Sequence, residues 1–360
     1  MSVTVNQSLL EAEIGHQVDL AHFSNGVVRK LITILNKVDR DLFIQLMAAL
    51  ENLPAESFTV ERLDSLLMST RMMNARAYQE FGNTLTNDMA GLTQVEVTYQ
   101  NDLFVRLLPV ELKVATVEAG QVYAAAMARP MQGKLLKEWA ASIEADRMTR
   151  IRDAIRIGYV QSEPSSKIVQ RIRGTQARGY ADGIIEIDRR NAESVVRTAV
   201  SHTAAFARDK FYQANGDLVK GLLWCSTLDS RTSPICRVRD KLQYSLDHKP
   251  VGHKLPWLGG PGMAHWCCRS SSTAVVKSLS EILGVDGIEE FKPSTRAAMD
   301  GQVPAEMNYS QWLAKQSAAR QDEVLGPVRG AMLRKGQITV DKFYNEKGRY
   351  LSLEELAARK

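Results

Sequence analysis

All four cysteines of this 360-residue chain, Cys225, Cys236, Cys267 and Cys268, fall in one short stretch, with His265 among them. The connection between Cys236 and His265 carries Pro250, Gly252, Pro256, Gly259, Gly260, Pro261 and Gly262. These residues punctuate a chain and do not build long helices or strands. Backbone ladders alone cannot shape such a segment, so side chains must meet across it. A disulfide framework would scatter its cysteines more widely, and clustering points to a local site.

Thiolate and imidazole are the preferred ligands of zinc. Cys236, His265 and Cys268 are candidate ligands, with Cys225 or Cys267 as a fourth. Cys267 and Cys268 are adjacent, and neighbours in an extended chain point opposite ways, so at most one faces the site. Two other arrangements use the same residues. The cysteines can be small buried apolar groups with His265 hydrogen-bonded in the core, or Cys236 and Cys268 can form a disulfide. Beside them the turn Leu228-Asp229-Ser230-Arg231-Thr232 suits Asp229 as a cap that accepts backbone N–H bonds. Arg231 is expected to pair with Asp229 or to reach the His265 segment. Asp229, Arg231, Thr232 and Arg269 are therefore the candidate brace. An acid–base pair of Asp229 with His265 is the catalytic alternative.

Outside this stretch the chain reads helical. Val27, Val28, Leu31, Ile34, Leu35, Val38, Leu42, Leu46 and Leu50 recur at helical spacing, the apolar stripe of an amphipathic helix. Asn52-Leu53-Pro54 is its expected end. A second helix is expected from Thr59 to a stop at Gly82-Asn83. Residues 94–112 are ambiguous: Val95, Val97 and Tyr99 alternate as in a strand, and Leu103, Phe104 and Val105 fit either form. Further helices are expected over Leu136–Ile155, from Ser165-Ser166, and over Asn191–Asn215, with a strand at Val219–Trp224. The expectation is a mainly helical α+β chain in four segments: a helical region 1–130, a basic helical region 131–190, a small Cys/His-containing α+β module 191–278, and a helical tail 279–360.

The net charge is +5, mild evidence for a polyanionic partner. Between Arg147 and Arg178 eight basic residues face only Asp153 and Glu163. Arg147, Arg150, Arg156, Arg171 and Arg173 are candidate contacts to a DNA backbone, which requires charge and no sequence code; a solvated helix face explains the same pattern. No apolar run reaches the ~18 residues of a membrane span, and the start is polar and unlike a signal peptide. Nucleotide-binding glycine loops and His-Glu-x-x-His are missing.

Arg197-Thr198, Asp229-Ser230-Arg231-Thr232, Cys236 and His265 to Arg269 together resemble the phage Mu F-like head-morphogenesis family. Leu135 to Trp139, Arg150 to Gly158 and Ile168 to Gly174 agree with it, and so, more weakly, does the tail around Trp312 and Gln321 to Gly326. The resemblance covers roughly residues 130–360. Where many members carry two further cysteines this chain has Ser233 and Ser270, so Cys236, His265 and Cys268 are the matching set. The resemblance implies a minor head protein of a tailed phage, assembled in the host cytoplasm and held inside the virion near the portal. Its implied partners are the portal, other head proteins and double-stranded DNA during packaging or ejection. The alternatives are a metal-dependent hydrolase or nuclease built on the Cys/His module, and a stand-alone DNA-binding protein.

Overall fold

The computed structural model describes residues 5–51, 59–108, 112–278, 281–282 and 295–357, a mainly helical α+β protein. By contact the chain divides into two compact units, each assembled from separated pieces. One comprises Met1–Ala21, Thr93–Ala126 and Ser201–Lys360; the other comprises His22–Leu92 and Met127–Val200. Helices α1 (Val5–Glu51), α2 (Val60–Leu107) and α6 (Ile184–Ala214) contribute to both. The division thus cuts across the four consecutive segments drawn from the sequence. Among the described residues no helix is long and apolar enough to cross a membrane.

Among the described residues the named elements of the second unit are all helices. Within it α4 (Leu136–Val160) and α5 (Ser165–Arg173) pack with the C-terminal part of α1 and the N-terminal part of α2. Leu42, Leu46, Leu50, Leu63, Leu67, Ile151, Ile155, Ile168 and Ile172 make its core, spaced so that each helix presents one apolar stripe. The expected break at Asn52-Leu53-Pro54 lies outside the described residues. The expected stop at Gly82 does not occur, because the stripe continues through Phe81, Leu85, Met89 and Leu92, all buried. Gly82 instead faces α4: a Cβ there would stand 3.3 Å from that of Ala140.

Residues 94–107 are helix, which resolves the ambiguity. Glu96, Val97, Gln100, Leu103 and Phe104 are buried at helical spacing, while Val95 and Val105 are exposed. The alternation misled because two inward positions are polar. Glu96 pairs with Arg208 and the Gln100 Nε2 donates to Glu13, partners distant in sequence.

In the first unit a four-stranded antiparallel sheet runs in the order β3-β2-β1-β4. Its strands are β1 (Val219–Cys225), β2 (Gln243–Tyr244), β3 (Pro250–Val251) and β4 (Ser271–Val276). Gly221 is required in β1 because a Cβ there would come within 2.6 Å of the Tyr244 carbonyl. Trp257 packs edge to face on Trp224 and Tyr244 beneath the sheet, those two rings being tilted against each other, with Phe211, Val219 and Leu222 in the same core. The tail differs from the all-helical expectation. Among its described residues it contains a hairpin, β5 (Thr295–Ala298) and β6 (Gly301–Pro304). After it come α8 (Tyr309–Ala314), α9 (Ala318–Leu325), α10 (Pro327–Arg334) and α11 (Leu353–Ala357). The break between α9 and α10 falls at Gly326, with φ +80°.

Candidate metal centre

The loop leaving β1 is folded by its own side chains. Asp229 accepts the Arg231 backbone N–H at 3.0 Å and the Thr232 hydroxyl at 3.0 Å. It also receives both guanidinium nitrogens of Arg269, at 2.5 and 2.9 Å. Burial works against its charge, but Arg269 outweighs that and holds the carboxyl below its ordinary value. Asp229, Thr232 and Arg269 are therefore brought together as a brace. Arg231 is a correction: its backbone N–H closes the turn, while its side chain is exposed. Arg269 takes that place, its two terminal nitrogens bonding both oxygens of Asp229.

Ser233 then caps the one-turn helix α7 (Pro234–Arg237), which carries Cys236 inward. From the other side, the turn ending in His265 and Cys268 is held by Gly262, at φ +85°. A Cβ on Gly262 would stand 2.7 Å from that of Ala205, and its N–H donates to Cys268 Sγ at 3.2 Å. Cys267 adopts a positive φ of 52°, and of the adjacent pair only Cys268 joins the cluster.

Three ligand atoms converge. Cys236 Sγ lies 3.2 Å from His265 Nε2 and 3.7 Å from Cys268 Sγ, and all three lie within 4.8 Å of one another. Tetrahedral coordination with zinc–sulfur bonds of about 2.3 Å sets sulfurs about 3.8 Å apart, close to what is seen. The sulfurs are not bonded to each other. His265 Nδ1 is 2.8 Å from the Trp266 carbonyl, the backbone support that metal-binding histidines ordinarily have. This Cys/His/Cys group can hold a metal ion.

The protons are unevenly shared. Burial and the neighbouring Cys268 push the Cys236 thiol well above its ordinary value. The hydrogen bond from Cys236, and behind it the facing imidazole, holds Cys268 well below. Burial disfavours a charged His265, yet the bond to Cys268 outweighs it and raises the imidazole pKa.

Cys225 is not in this group. It is buried in a separate apolar cluster with Leu10 and Ala305, where burial pushes its thiol up to about 11. The Asp229–His265 pair is not formed either, since each side chain is engaged as described. His248 bonds Asp209 and His253 bonds the Gln243 carbonyl.

Sequence reasoning missed the arginines that tie the tail to this module. Arg237 reaches Tyr344, the Val324 carbonyl and the Thr232 carbonyl. Arg239 binds the Pro256, Ile235 and Glu346 carbonyls. Arg296 pairs with Asp240 at 2.9 Å, both fully buried. The run Arg237-Val238-Arg239-Asp240 directly after Cys236 was the available signal: charges crowded into a loop that must be buried. Beside them a cleft of about 1090 Å³ is lined by Lys254, Asn308, Asp341, Glu346 and Lys347 among others. Its acidic and basic groups are mixed, and the cysteine–histidine cluster lies outside it.

Of the candidate DNA contacts, Arg147 is a correction. It is 1 % exposed and paired with Asp39, because the inner face of α4 needs a cation there. Arg150 pairs with Asp146, Arg171 with Glu163, and Arg173 lies over the Tyr180 ring. Arg156 and Arg173 are exposed. Arg197 bonds Glu193, and Thr198 bonds the Ser194 carbonyl within α6.

No protein-family model matches the chain, and neither does any curated protein or solved structure.

Proposed function

We propose that this chain is a minor head protein of a tailed bacteriophage, of the Mu F-like kind. On this reading it works by holding partners, and its sheet-bearing unit is braced by a zinc ion on Cys236, His265 and Cys268. One observation carries the reading. The residues of the motif around the cysteines, which are scattered along the sequence, meet as two adjoining clasps: Asp229 with Arg269, and Cys236 with His265 and Cys268. Each has a structural partner, and none is left poised as a general base. That favours a rigid assembly part over an enzyme. Zinc suits the donor set because two thiolates and an imidazole are its usual structural ligands.

The protein sits inside the head near the portal, with Arg150, Arg156, Arg171 and Arg173 available to packaged DNA. Proteomics of purified virions, with localisation at the portal vertex, tests the assignment; absence from virions sinks it. Metal analysis of the purified chain tests zinc, with one equivalent expected. The competing reading is a metal-dependent hydrolase or nuclease, drawn from a metal set of only three protein ligands. Cleavage of DNA or esters by the zinc-, manganese- or magnesium-loaded protein, abolished by His265→Ala, would favour it.

A further inference from the structure

The residue that completes the ligand cluster is a serine. His265 Nδ1 faces the Trp266 carbonyl at 2.8 Å. A carbonyl can only accept, so in the neutral imidazole the proton is on Nδ1, and Nε2 presents its lone pair to the cluster. Ser233 Oγ lies 2.6 Å from that Nε2. The Ser233 hydroxyl therefore donates to Nε2, while its oxygen accepts the Cys236 N–H at 3.4 Å. Without metal the imidazole lone pair is satisfied by Ser233, and the buried site keeps its shape without an unpaired acceptor.

A metal ion on Cys236, His265 and Cys268 needs the same lone pair. It must displace the Ser233 proton, which leaves a serine oxygen turned to the ion. Ser233 and the buried Ser270 both stand beside Cys236, and Ser233 is in addition within hydrogen-bond distance of the imidazole.

Resting on the metal reading above, we propose that Ser233 is the fourth member of the site. It holds the imidazole when metal is absent, and supplies an oxygen corner, directly or through one water, when metal is bound. The ion is then held by two thiolates, one imidazole and an exchangeable oxygen. Such a site accepts zinc or cobalt reversibly and yields it to chelators more readily than one closed by a third thiolate.

The test uses the full chain, stripped of metal and titrated with Co(II) while its absorption spectrum is recorded. Wild type should show the ligand-field bands of a tetrahedral site and charge transfer from two thiolates. Ser233→Cys adds a third thiolate, so charge-transfer intensity should rise about 1.5-fold, and loss of cobalt to a chelator should slow by about tenfold. Ser233→Ala, which removes only the oxygen, should keep the charge transfer and shift the ligand-field bands. Ligand-field bands in Ser233→Ala that superimpose on wild type, with no gain in Ser233→Cys, would overturn the role of Ser233 and leave the three-ligand site standing. No cobalt binding by wild type would remove the metal reading itself, and this proposal with it.

Discussion

The two units solve the same problem, a stable interior, by different means. In the helical unit the core is a set of leucines and isoleucines at helical spacing. Its buried charges are few: Arg147 with Asp39, and Asp188 with neither oxygen hydrogen-bonded. In the sheet-bearing unit long irregular segments are held by side chains that bond distant backbone. Arg237, Arg239 and Arg296 reach carbonyls of loops and tail, and the Asp229–Arg269 and Cys/His clasps close the turns. Periodic apolar burial needs no particular partner, whereas a clasp fails when either side is lost. The helical unit should therefore tolerate substitution broadly, and the sheet-bearing unit should have a few positions of large effect.

The largest effect is expected at Arg296, which bonds Asp240 and the Ser226 and Met307 carbonyls. Arg296→Ala leaves a buried carboxylate unpaired and should cost about 3–5 kcal/mol in urea unfolding. A loss below about 1 kcal/mol, the range of exposed ion pairs, would break the comparison.

Asp188 is the counter-case in the helical unit. It is fully buried, and burial raises its pKa to about 7 against the Arg147 and Arg150 charges, with Asp146 and Asp39 adding to the rise. A raised carboxyl stabilises most below its unfolded pKa, and that stability is lost as pH climbs through about 7. Asp188→Asn should match wild type near pH 4 and gain with rising pH, by up to about 4 kcal/mol at pH 8. A gap that does not change with pH would show that Asp188 does not titrate in this way.

Metal removal comes next. On the zinc reading, a chelator should lower stability by about 4 kcal/mol at micromolar metal and nanomolar Kd, measured as a Tm shift. His265→Ala should abolish that sensitivity. Smaller again is Asp229→Asn, at about 1–2 kcal/mol, because its partner Arg269 is 40 % exposed and partly screened. Asp229 has a lowered pKa, so its contribution is present above the ordinary carboxyl range and fades as pH falls through the depressed value. The deficit of the variant should shrink in acid. The smallest effect belongs to Arg150, Arg156 and Arg173. Changing all three to Gln should alter stability by within about 0.5 kcal/mol while flattening the salt dependence of DNA binding.

How much of this was legible depends on the range of the interaction. The α1 stripe from Val27 to Leu50 was readable because every member lies within four residues of the next. The same rule failed at Glu96 and Gln100, whose inward positions are polar and pair with Arg208 and Glu13. Arg147 was read as a surface charge because its partner Asp39 is 108 residues away. Cys236, His265 and Cys268 were legible by residue type. Ser233 was noted only as a departure from a family pattern, and its bond to His265 spans 32 residues.

Residue order alone determined the stripe of α1, the helices over α4, α5 and α6, strand β1, and which side chains have metal-binding chemistry. These follow from local propensity and spacing, which act between near neighbours. Tertiary structure decided which cysteine is left out, which arginine holds Asp229, that Arg147 is core, and that a serine meets the imidazole. Those outcomes depend on the directions in which side chains leave separated segments. Direction is settled only when the loops close and every buried polar atom must find a partner.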